Sequence, residues 1–296
     1  MSEIDRITEV FEAARTIDFD DSSKFILFSD CHRGDNSWAD DFANNEKIYF
    51  HALTHYYQNG FMYIEIGDGD ELWENDEFED IRSAHSHIFW LLHKFHKENR
   101  FILIWGNHNV VLKNKTYVEK HLFQYFDERE ACLKPLFDGI MTHEGVLLRD
   151  AHTERKIFLF HGHQGNLLCD HLWRLCRFLV RHLWKHLQLL GVNDPTSPAK
   201  KYKKQLQYEQ RILDWVKTHK EIVICGHTHR SMFPKPGELP YFNTGSCVHP
   251  RCITGIEIEH REITLIKWWI TADSDGILRV KRDILVGPKR IELYFQ

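Results

Sequence analysis

The stretch Phe25–Asp35 reads FILFSDCHRGD. It opens with a short apolar run, and this run ends at Ser29, after which Asp30 and His32 follow two residues apart. Short apolar runs that are bounded by polar residues are typical of buried strands. By itself the stretch is either a strand that runs into a polar loop, which is the commoner case, or the first half of a metal site.

The same pattern recurs at four later points of the chain, each time as an apolar run that ends in a polar cluster. These runs are MYIEIGD (62–68), RFILIWGN (100–107), KIFLFHG (156–162) and EIVICGH (221–227). Between the first three of the five runs, Asn45–Gln58 and Ile81–Lys97 carry apolar residues at helical spacing. Alternating strands and helices predict an α/β fold in which helices pack on sheets.

Two further segments complete the predicted organisation. After residue 240, the runs CITGIEIEH, EITLIKWWIT and ILRVKRDIL predict consecutive antiparallel strands, with turns at Glu259–Glu262 and Asp273–Gly276. Residues 166–190 predict a long helix or a helical pair, and a third helix follows up to about residue 219. We therefore expect a single domain over residues 1–291 with a helical cap insertion at about 166–219. The last residues, ELYFQ (292–296), resemble the remnant of a cleavable tag.

The composition is that of a globular protein, with 43% hydrophobic and 27% charged residues. The net charge of −5 provides no global basic field for nucleic acid or for an anionic membrane. The seven cysteines form no CxxC pair, which argues against a disulfide framework or a Cys-type zinc site. No signal peptide and no membrane span are expected, so the simplest location is the cytoplasm. Histidine is unusually frequent, with 21 residues, and it is the commonest metal ligand.

Candidate metal ligands follow the five apolar runs. They are Asp30, His32, Asp68, Asn107, His161, His227 and His229, and His108 lies beside Asn107 in the third cluster. On an extended backbone, residues two apart project to the same side, so Asp30 and His32 would point one way and Cys31 the other. Because open α/β sheets have their sites beyond the carboxyl ends of strands, we expect these clusters to meet. A mixture of His, Asp and Asn suits Mn, Fe or Zn ions.

Taken in order, the clusters match the motifs D-x-H, G-D-x-x-[DE], G-N-H-[DE], a His in an H-G context, and G-H-x-H. In these motifs, residues 25–250 resemble the calcineurin-like metallophosphoesterase superfamily. The resemblance implies a four-layer α/β/β/α sandwich with two divalent transition-metal ions, of which manganese is the first expectation and iron or zinc the alternatives. It also implies a hydrolase of phosphoester bonds, in which a hydroxide held between the metals attacks phosphorus in line.

The resemblance further implies a role for individual residues. The implied ligands are Asp30, His32 and His229 for one metal, Asn107, His161 and His227 for the other, and Asp68 as the bridge between them. His108 would act on the leaving group, either as general acid or by stabilising charge. Glu71 would lie behind the ligands and orient one of them.

Two assignments have competitors within the sequence, and one position departs from the motif of the superfamily. His163 competes with His161, and Asp70 competes with Asp68, but we favour the residue that follows each apolar run most directly. The fourth position of GNHN is Asn109, where the superfamily usually has a carboxylate that orients the preceding histidine. An Asn accepts a hydrogen bond more weakly, so the role of His108 is less firmly implied than the metal ligands.

The position of the helical insertion bears on the substrate. It begins just after His161, as does the cap of UDP-2,3-diacylglucosamine hydrolases, a branch of the superfamily that cleaves a pyrophosphate. This similarity implies a small phosphodiester or pyrophosphate substrate of the nucleotide-sugar type. Candidate substrate-binding residues, each with simple solvent exposure as the alternative, are Arg33, Arg174, Arg177, Arg181 and Arg230.

Other functions are compatible with the same ligand set. A phosphomonoesterase or a protein phosphatase is an alternative, although a cap would hinder a folded protein substrate. Nucleic acid is not expected as a partner, because the chain is acidic. A non-enzymatic metal-binding scaffold is an alternative from another class, and the complete set of ligands with His108 argues against it. The oligomeric state and a substrate with a lipid part are left open.

Overall fold

The structure, a computed structural model, describes residues 3–164 and 202–295. The helices within these ranges are α1 (Glu3–Ala13), α2 (Glu46–Gln58), α3 (Phe78–Ala84), α4 (Ser86–Lys97), α5 (Lys115–Leu122) and α6 (Tyr202–His219). The strands are β1 (Arg15–Phe19), β2 (Lys24–Phe28), β3 (Met62–Ile66), β4 (Phe101–Ile104), β5 (Gln124–Asp127), β6 (Cys132–Pro135), β7 (Thr142–His143), β8 (Gly145–Asp150), β9 (Lys156–Phe160), β10 (Ile222–Cys225), β11 (Tyr241–Asn243), β12 (Cys252–Glu259), β13 (Glu262–Ala272) and β14 (Leu278–Arg290). Among the described residues, no helix has the length and hydropathy that a membrane crossing requires.

The larger sheet has seven strands in the order β14–β13–β12–β2–β3–β4–β7. Its half from β2 to β7 is parallel, and its half from β12 to β14 is antiparallel. Parallel neighbours need crossover connections, which α2 provides between β2 and β3, and α3 with α4 between β3 and β4. The first three apolar runs and the three antiparallel strands of the sequence prediction are thereby confirmed.

The smaller sheet has five strands in the order β1–β8–β9–β10–β11. Its neighbours are parallel except for β8 and β9, which are antiparallel. The strands β9 and β10 are the predicted runs at 156–162 and 221–227. The prediction missed β1, because only Phe19 of this strand is buried and its sequence therefore has no apolar run.

The two sheets pack face to face. Alternate strand residues, such as Leu27, Ile64 and Leu159, form one buried cluster between the sheets. The outer face of the larger sheet is covered by α2 and α4, and that of the smaller sheet by α1 and α6. The layers therefore follow the order α/β/β/α, which confirms the predicted fold class.

Part of the predicted cap belongs to the sandwich itself. The helix α6 packs on the smaller sheet, with Trp215 fully buried and its ring centroid 5.5 Å from that of Phe158. The indole N–H of Trp215 also donates to the hydroxyl of Thr8 in α1 over 3.0 Å. Residues 202–219, which the sequence analysis includes in the cap, thus form an outer layer of the fold. The rest of the predicted cap, residues 166–201, lies outside the described residues.

Candidate metal centre

Hydrogen bonds between loops bring the ends of five strands together. The N–H of Asp30 donates to the carbonyl of Gly67 after β3 over 3.1 Å, and the N–H of Gly67 donates to Ile104 at the end of β4 over 3.0 Å. In the smaller sheet, the N–H of Gly226 after β10 donates to the carbonyl of His161 after β9 over 3.1 Å. The polar clusters therefore meet at the carboxyl ends of their strands, as the sequence predicts.

The loops hold the candidate ligands in an unusual backbone conformation. Positive φ angles are found at Asp30 (52°), His32 (48°), Asp68 (51°), His227 (67°) and His229 (55°). A residue other than glycine in this region costs on the order of 1–3 kcal/mol, and such residues cluster at functional sites. The inference that Asp30 and His32 lie on an extended backbone is therefore wrong. Cys31 does point away from both, into the core beneath α2.

The first group of candidate ligands consists of Asp30, His32 and His229, whose ligand atoms all lie within 4.8 Å of one another. Nε2 of His229 is 3.2 Å from Oδ1 of Asp30 and 3.3 Å from Nε2 of His32. The other oxygen of Asp30 accepts hydrogen bonds from the hydroxyl of Ser29 and, over 2.9 Å, from the N–H of His227. These bonds fix the carboxylate so that Oδ1 faces the two imidazoles.

The second group consists of Asp68, His161 and His227, again within 4.8 Å of one another. Nδ1 of His161 donates to the carbonyl of Ile66 over 3.0 Å, so Nε2 is left to face Oδ2 of Asp68 at 3.0 Å. Oδ2 of Asp68 is also 3.9 Å from Nε2 of His32 in the first group. Asp68, a member of the second group, thus also faces the first group, as a bridging carboxylate would.

Four buried polar atoms of the candidate ligands have no hydrogen-bond partner among the described residues. They are Oδ1 of Asp30, Oδ1 of Asn107, Nε2 of His161 and Nε2 of His227. The neighbouring N–H of His108 donates to Oδ1 of Asp68 over 2.8 Å, which ties the loop that holds Asn107 to the second group. An unsatisfied buried polar atom is costly, so four of them in one site indicate that a bound group completes them. Carboxylate and amide oxygens and imidazole nitrogens are all metal ligands.

The structure also distinguishes between the competing ligands. Oδ1 of Asp70 accepts a hydrogen bond from Nε of Arg33 over 2.7 Å, so this carboxylate is used in a buried ion pair. His163 is buried with its ring centroid 5.4 Å from that of His161, but it joins none of the ligand groups found in the described part of the chain. The geometry therefore favours Asp68 and His161 over their competitors.

Glu71 connects one ligand with His108. Its carboxylate accepts from Nδ1 of His32 over 2.8 Å and from Nδ1 of His108, at 2.8 Å from Oε1 and 2.7 Å from Oε2. The indole of Trp73 stacks on the ring of His108, with centroids 4.4 Å apart and an angle of 22° between the planes. The sequence argument placed Glu71 behind the ligands but missed Trp73, although it lies only two residues further along the same loop.

Asn109 has a different role from the one the resemblance implies. It is fully buried, and its Oδ1 accepts a hydrogen bond from the N–H of Gly106 over 2.6 Å. The side chain therefore stabilises its own loop, and the orienting carboxylate of His108 is Glu71. The predicted weakening of His108 by an Asn at this position is consequently corrected, because a full carboxylate holds its Nδ1.

Arg33 does not face the site. It is 1% exposed, and its guanidinium donates to both oxygens of Glu65 over 2.7 and 2.8 Å as well as to Asp70. All three of its nitrogens are thus used inside the protein. The prediction that Arg33 binds a substrate phosphate is therefore not supported, and this arginine serves the fold.

Arg230 is placed differently, although it too follows a ligand directly. Its side chain is 38% exposed, and only NH1 has a partner among the described residues, Oε2 of Glu209 at 3.3 Å. Glu209 belongs to α6, as does Tyr208, whose ring meets the ring of His227 edge-on with centroids 4.7 Å apart. Sequence reasoning missed both, because nothing in a helical pattern tells which distant loop a residue will touch. The other candidates, Arg174, Arg177 and Arg181, lie outside the described residues.

The charges of the site favour bound cations. Burial would raise the pKa of Asp68 and Glu71, but the nearby histidines outweigh it, holding the pKa of Asp68 well below its usual value and that of Glu71 at about 2. Burial would lower the pKa of His161 and His108, but the carboxylates raise these pKa values to about 9 and about 10. Buried carboxylates that attract this much positive charge, beside neutral nitrogen and oxygen donors, fit divalent metal ions.

Comparisons with known proteins add little to this geometry. No protein-family model matches the sequence, and no curated protein is significantly similar to it. Among solved structures, the chain is similar to Vps29 from Chaetomium thermophilum, with 9% sequence identity and a TM-score of 0.37 over 90% of this chain and 97% of that one. A score this low does not establish a common fold, so the assignment rests on the layers and the ligand groups described above.

Proposed function

We propose that the protein is a metal-dependent hydrolase of phosphoester bonds that uses two divalent transition-metal ions, with manganese the first expectation. The observation that carries the proposal is the position of Asp68 between two groups of ligands. The resemblance of residues 25–250 to calcineurin-like metallophosphoesterases supports it. When bound, two such ions would supply Lewis-acid stabilisation of a phosphoryl group and activation of water.

The residues that would hold the ions are those of the two groups and Asn107. They are Asp30, His32 and His229 on one side, Asn107, His161 and His227 on the other, and Asp68 between them. Hydrogen bonds from the backbone and from Glu71 fix several of these side chains before any ion binds, so little ordering remains to oppose binding.

His108 is the residue that we assign to the leaving group. Its Nδ1 is bound to Glu71, and Nε2 has no hydrogen-bond partner within the described ranges. Stacking on Trp73 fixes the plane of the ring, and the backbone of the same residue is tied to Asp68. A fixed imidazole with a free Nε2 beside the metal ligands can donate a proton or a hydrogen bond to a departing oxygen.

A phosphodiester or a pyrophosphate is the substrate class that we propose, and a phosphomonoester is the alternative. What supports the choice is the exposed guanidinium of Arg230 next to His229, because it offers a second positive group beyond the metal centre. The insertion after His161 points in the same direction through its likeness to pyrophosphate-cleaving enzymes of the superfamily.

The experiment combines metal analysis with a generic assay. Protein loaded with Mn²⁺ and freed of excess metal should contain about two ions per chain, and it should hydrolyse bis(p-nitrophenyl) phosphate. In Asp68→Asn the charge between the two groups is removed without a change of size, so we expect the loss of bound metal and of turnover together.

Asp138→Asn provides the matched control, because this carboxylate is exposed and lies outside the site. It should keep metal content and turnover unchanged. Full turnover in a folded Asp68→Asn protein would contradict the proposal. A wild-type protein that binds metal but hydrolyses no phosphoester would instead favour the non-enzymatic scaffold.

A further inference from the structure

The two arginines that directly follow metal ligands differ in how they are paired. Arg33 and Glu65 form two parallel N–H···O bonds, as a structural ion pair is expected to do. Arg230 and Glu209 form one bond only, at 3.3 Å. Oε1 of Glu209 is buried and has no hydrogen-bond partner in the described residues. Compared with the pair of Arg33 and Glu65, the pair of Arg230 and Glu209 therefore lacks a hydrogen bond, and we call it the incomplete pair.

The incomplete pair is connected to the candidate metal ligands through its neighbours in the chain. Arg230 is joined by a peptide bond to His229, and the ring of Tyr208, the residue before Glu209, contacts His227. Glu209 is 4% exposed and belongs to a helix whose next turns are fixed in the core by Trp215. A rigid helix thus holds one nitrogen of the guanidinium, while Nε and NH2 have no partner among the described residues and the side chain is 38% exposed.

From this arrangement, we propose that Arg230, oriented by Glu209, binds a second phosphoryl group of the substrate, so that the site selects diphosphates. The proposal rests on the proposed function and specifies its substrate class. Guanidinium groups bind phosphate oxygens in pairs, and holding one nitrogen in advance reduces the entropy lost when the others bind. Arg230 follows the ligand His229 and, unlike Arg33, keeps Nε and NH2 without a partner among the described residues, so these nitrogens are available for a phosphoryl group that neighbours the one at the metals.

The reaction on such a substrate is hydrolysis of a P–O–P bridge. The oxygen of one water molecule forms a bond to the phosphorus at the metal centre, and the bridging P–O bond breaks. Its electron pair stays on the bridging oxygen, which leaves with the second phosphoryl group. The two protons of the water remain with the two phosphate products or pass to solvent. Arg230 would stabilise the negative charge that develops on the leaving phosphate.

The test compares two inhibitors of bis(p-nitrophenyl) phosphate hydrolysis in the full-length, Mn-loaded protein. Imidodiphosphate carries two phosphoryl groups and inorganic phosphate carries one. In Arg230→Gln we expect the ratio of the two inhibition constants to shift against imidodiphosphate by about 10- to 100-fold, the cost of losing a charged hydrogen bond. Arg149→Gln, a change in an exposed ion pair with Asp18, should leave the ratio unchanged.

Glu209 is tested as a positioning residue in the same assay. Glu209→Ala removes the anchor of Arg230 and should shift the ratio in the same direction by a smaller factor. Glu209→Gln retains a hydrogen-bond acceptor for Arg230, so the ratio of the two inhibition constants should return most of the way to its wild-type value. A purely structural role of the Glu209 charge would not explain this recovery. A ratio that stays the same in Arg230→Gln overturns the proposal, whether both constants change or neither does.

Failure of the proposed function gives a different result. If the wild-type protein turns over no phosphoester, the assay yields no inhibition constants, and the proposed function is wrong. Calorimetric titration of imidodiphosphate and of phosphate into the Mn-loaded protein then measures the same ratio directly. If the ratio of the two dissociation constants differs between the wild type and Arg230→Gln, the titration still supports a diphosphate-binding site. If the ratio is the same in both proteins, the proposal is overturned.

Discussion

Glu71 binds two imidazoles at once, that of the candidate metal ligand His32 and that of His108. A carboxylate can accept from both Nδ1–H groups, whereas a carboxamide has one accepting oxygen and one donating nitrogen. In Glu71→Gln, one of the two histidines must therefore lose its partner. We expect a fall of about 10- to 100-fold in kcat/KM or in Mn²⁺ affinity, which is typical of residues that orient metal ligands.

The measurement is hydrolysis of bis(p-nitrophenyl) phosphate together with Mn²⁺ titration of the variant. Glu12→Gln is the matched control, since Glu12 is exposed on the surface of α1. Equal activity and affinity in Glu71→Gln and the wild type would show that the carboxylate does not orient either ring.

What the sequence reveals at this scale depends on how local the information is. Asp30 and His32, or His227 and His229, are recognisable because they lie together directly after an apolar run. The partner of His108 is not predictable in this way, because Asn109 is nearer in sequence and Glu71 is nearer in space. The same holds for Arg33 and Arg230, which look alike in the sequence and differ only through what lies around them in the fold.

At the scale of elements, His85 explains why one predicted helix is two. The apolar spacing over Ile81–Lys97 predicts a continuous helix, but α3 ends at Ala84 and α4 begins at Ser86. His85 between them is fully buried, with Nε2 2.8 Å from Oδ2 of Asp40 and Nδ1 2.7 Å from Oε1 of Glu46. Periodicity could not show this break, since its cause is a pair of carboxylates about 40 residues earlier.

These contacts predict a pH dependence of stability. Burial would lower the pKa of His85, but the hydrogen bonds to Asp40 and Glu46 raise it above its usual value of 6.5. A group whose pKa is raised by folding stabilises the protein fully below pH 6.5, and this contribution is lost as the pH rises through the folded pKa. The free energy of unfolding of the wild type should therefore exceed that of His85→Gln most clearly at acidic pH.

Urea unfolding between pH 5.5 and pH 9 measures this difference. His87 provides the control, because its Nε2 lies 3.4 Å from Oε1 of Glu46 but its side chain is 43% exposed. His87→Gln should change the free energy of unfolding little at any pH. A difference between the wild type and His85→Gln that is constant over this range would show that folding does not raise the pKa of His85.

At the scale of the whole molecule, the candidate metal ligands come from both sheets. Asp30 and Asp68 follow strands of the larger sheet, whereas His161, His227 and His229 follow strands of the smaller one. An ion held by residues from both sheets binds the folded protein and has no equivalent site in the unfolded chain. Metal binding should therefore stabilise the sandwich as a whole.

We expect Mn²⁺ at about 100 times its Kd to add about 2.7 kcal/mol to the free energy of unfolding, or about 5–10 °C in Tm for a domain of this size. Differential scanning calorimetry with Mn²⁺ and with a chelator measures the shift. Asp68→Asn is the control that should lose it. A Tm that does not respond to Mn²⁺ in the wild type would mean that the ion does not bind across the two sheets.

The left-handed backbone at Asp30, His32, Asp68, His227 and His229 has a consequence for how such a site persists. Glycine would adopt each of these conformations without steric cost, so the backbone strain at these positions comes with the side chains that form the site. The backbone conformation alone therefore favours glycine at positions where the candidate site needs a carboxylate or an imidazole. In a lineage that no longer needed the metal, glycine should accumulate at these positions early, while the layers of the sandwich would remain.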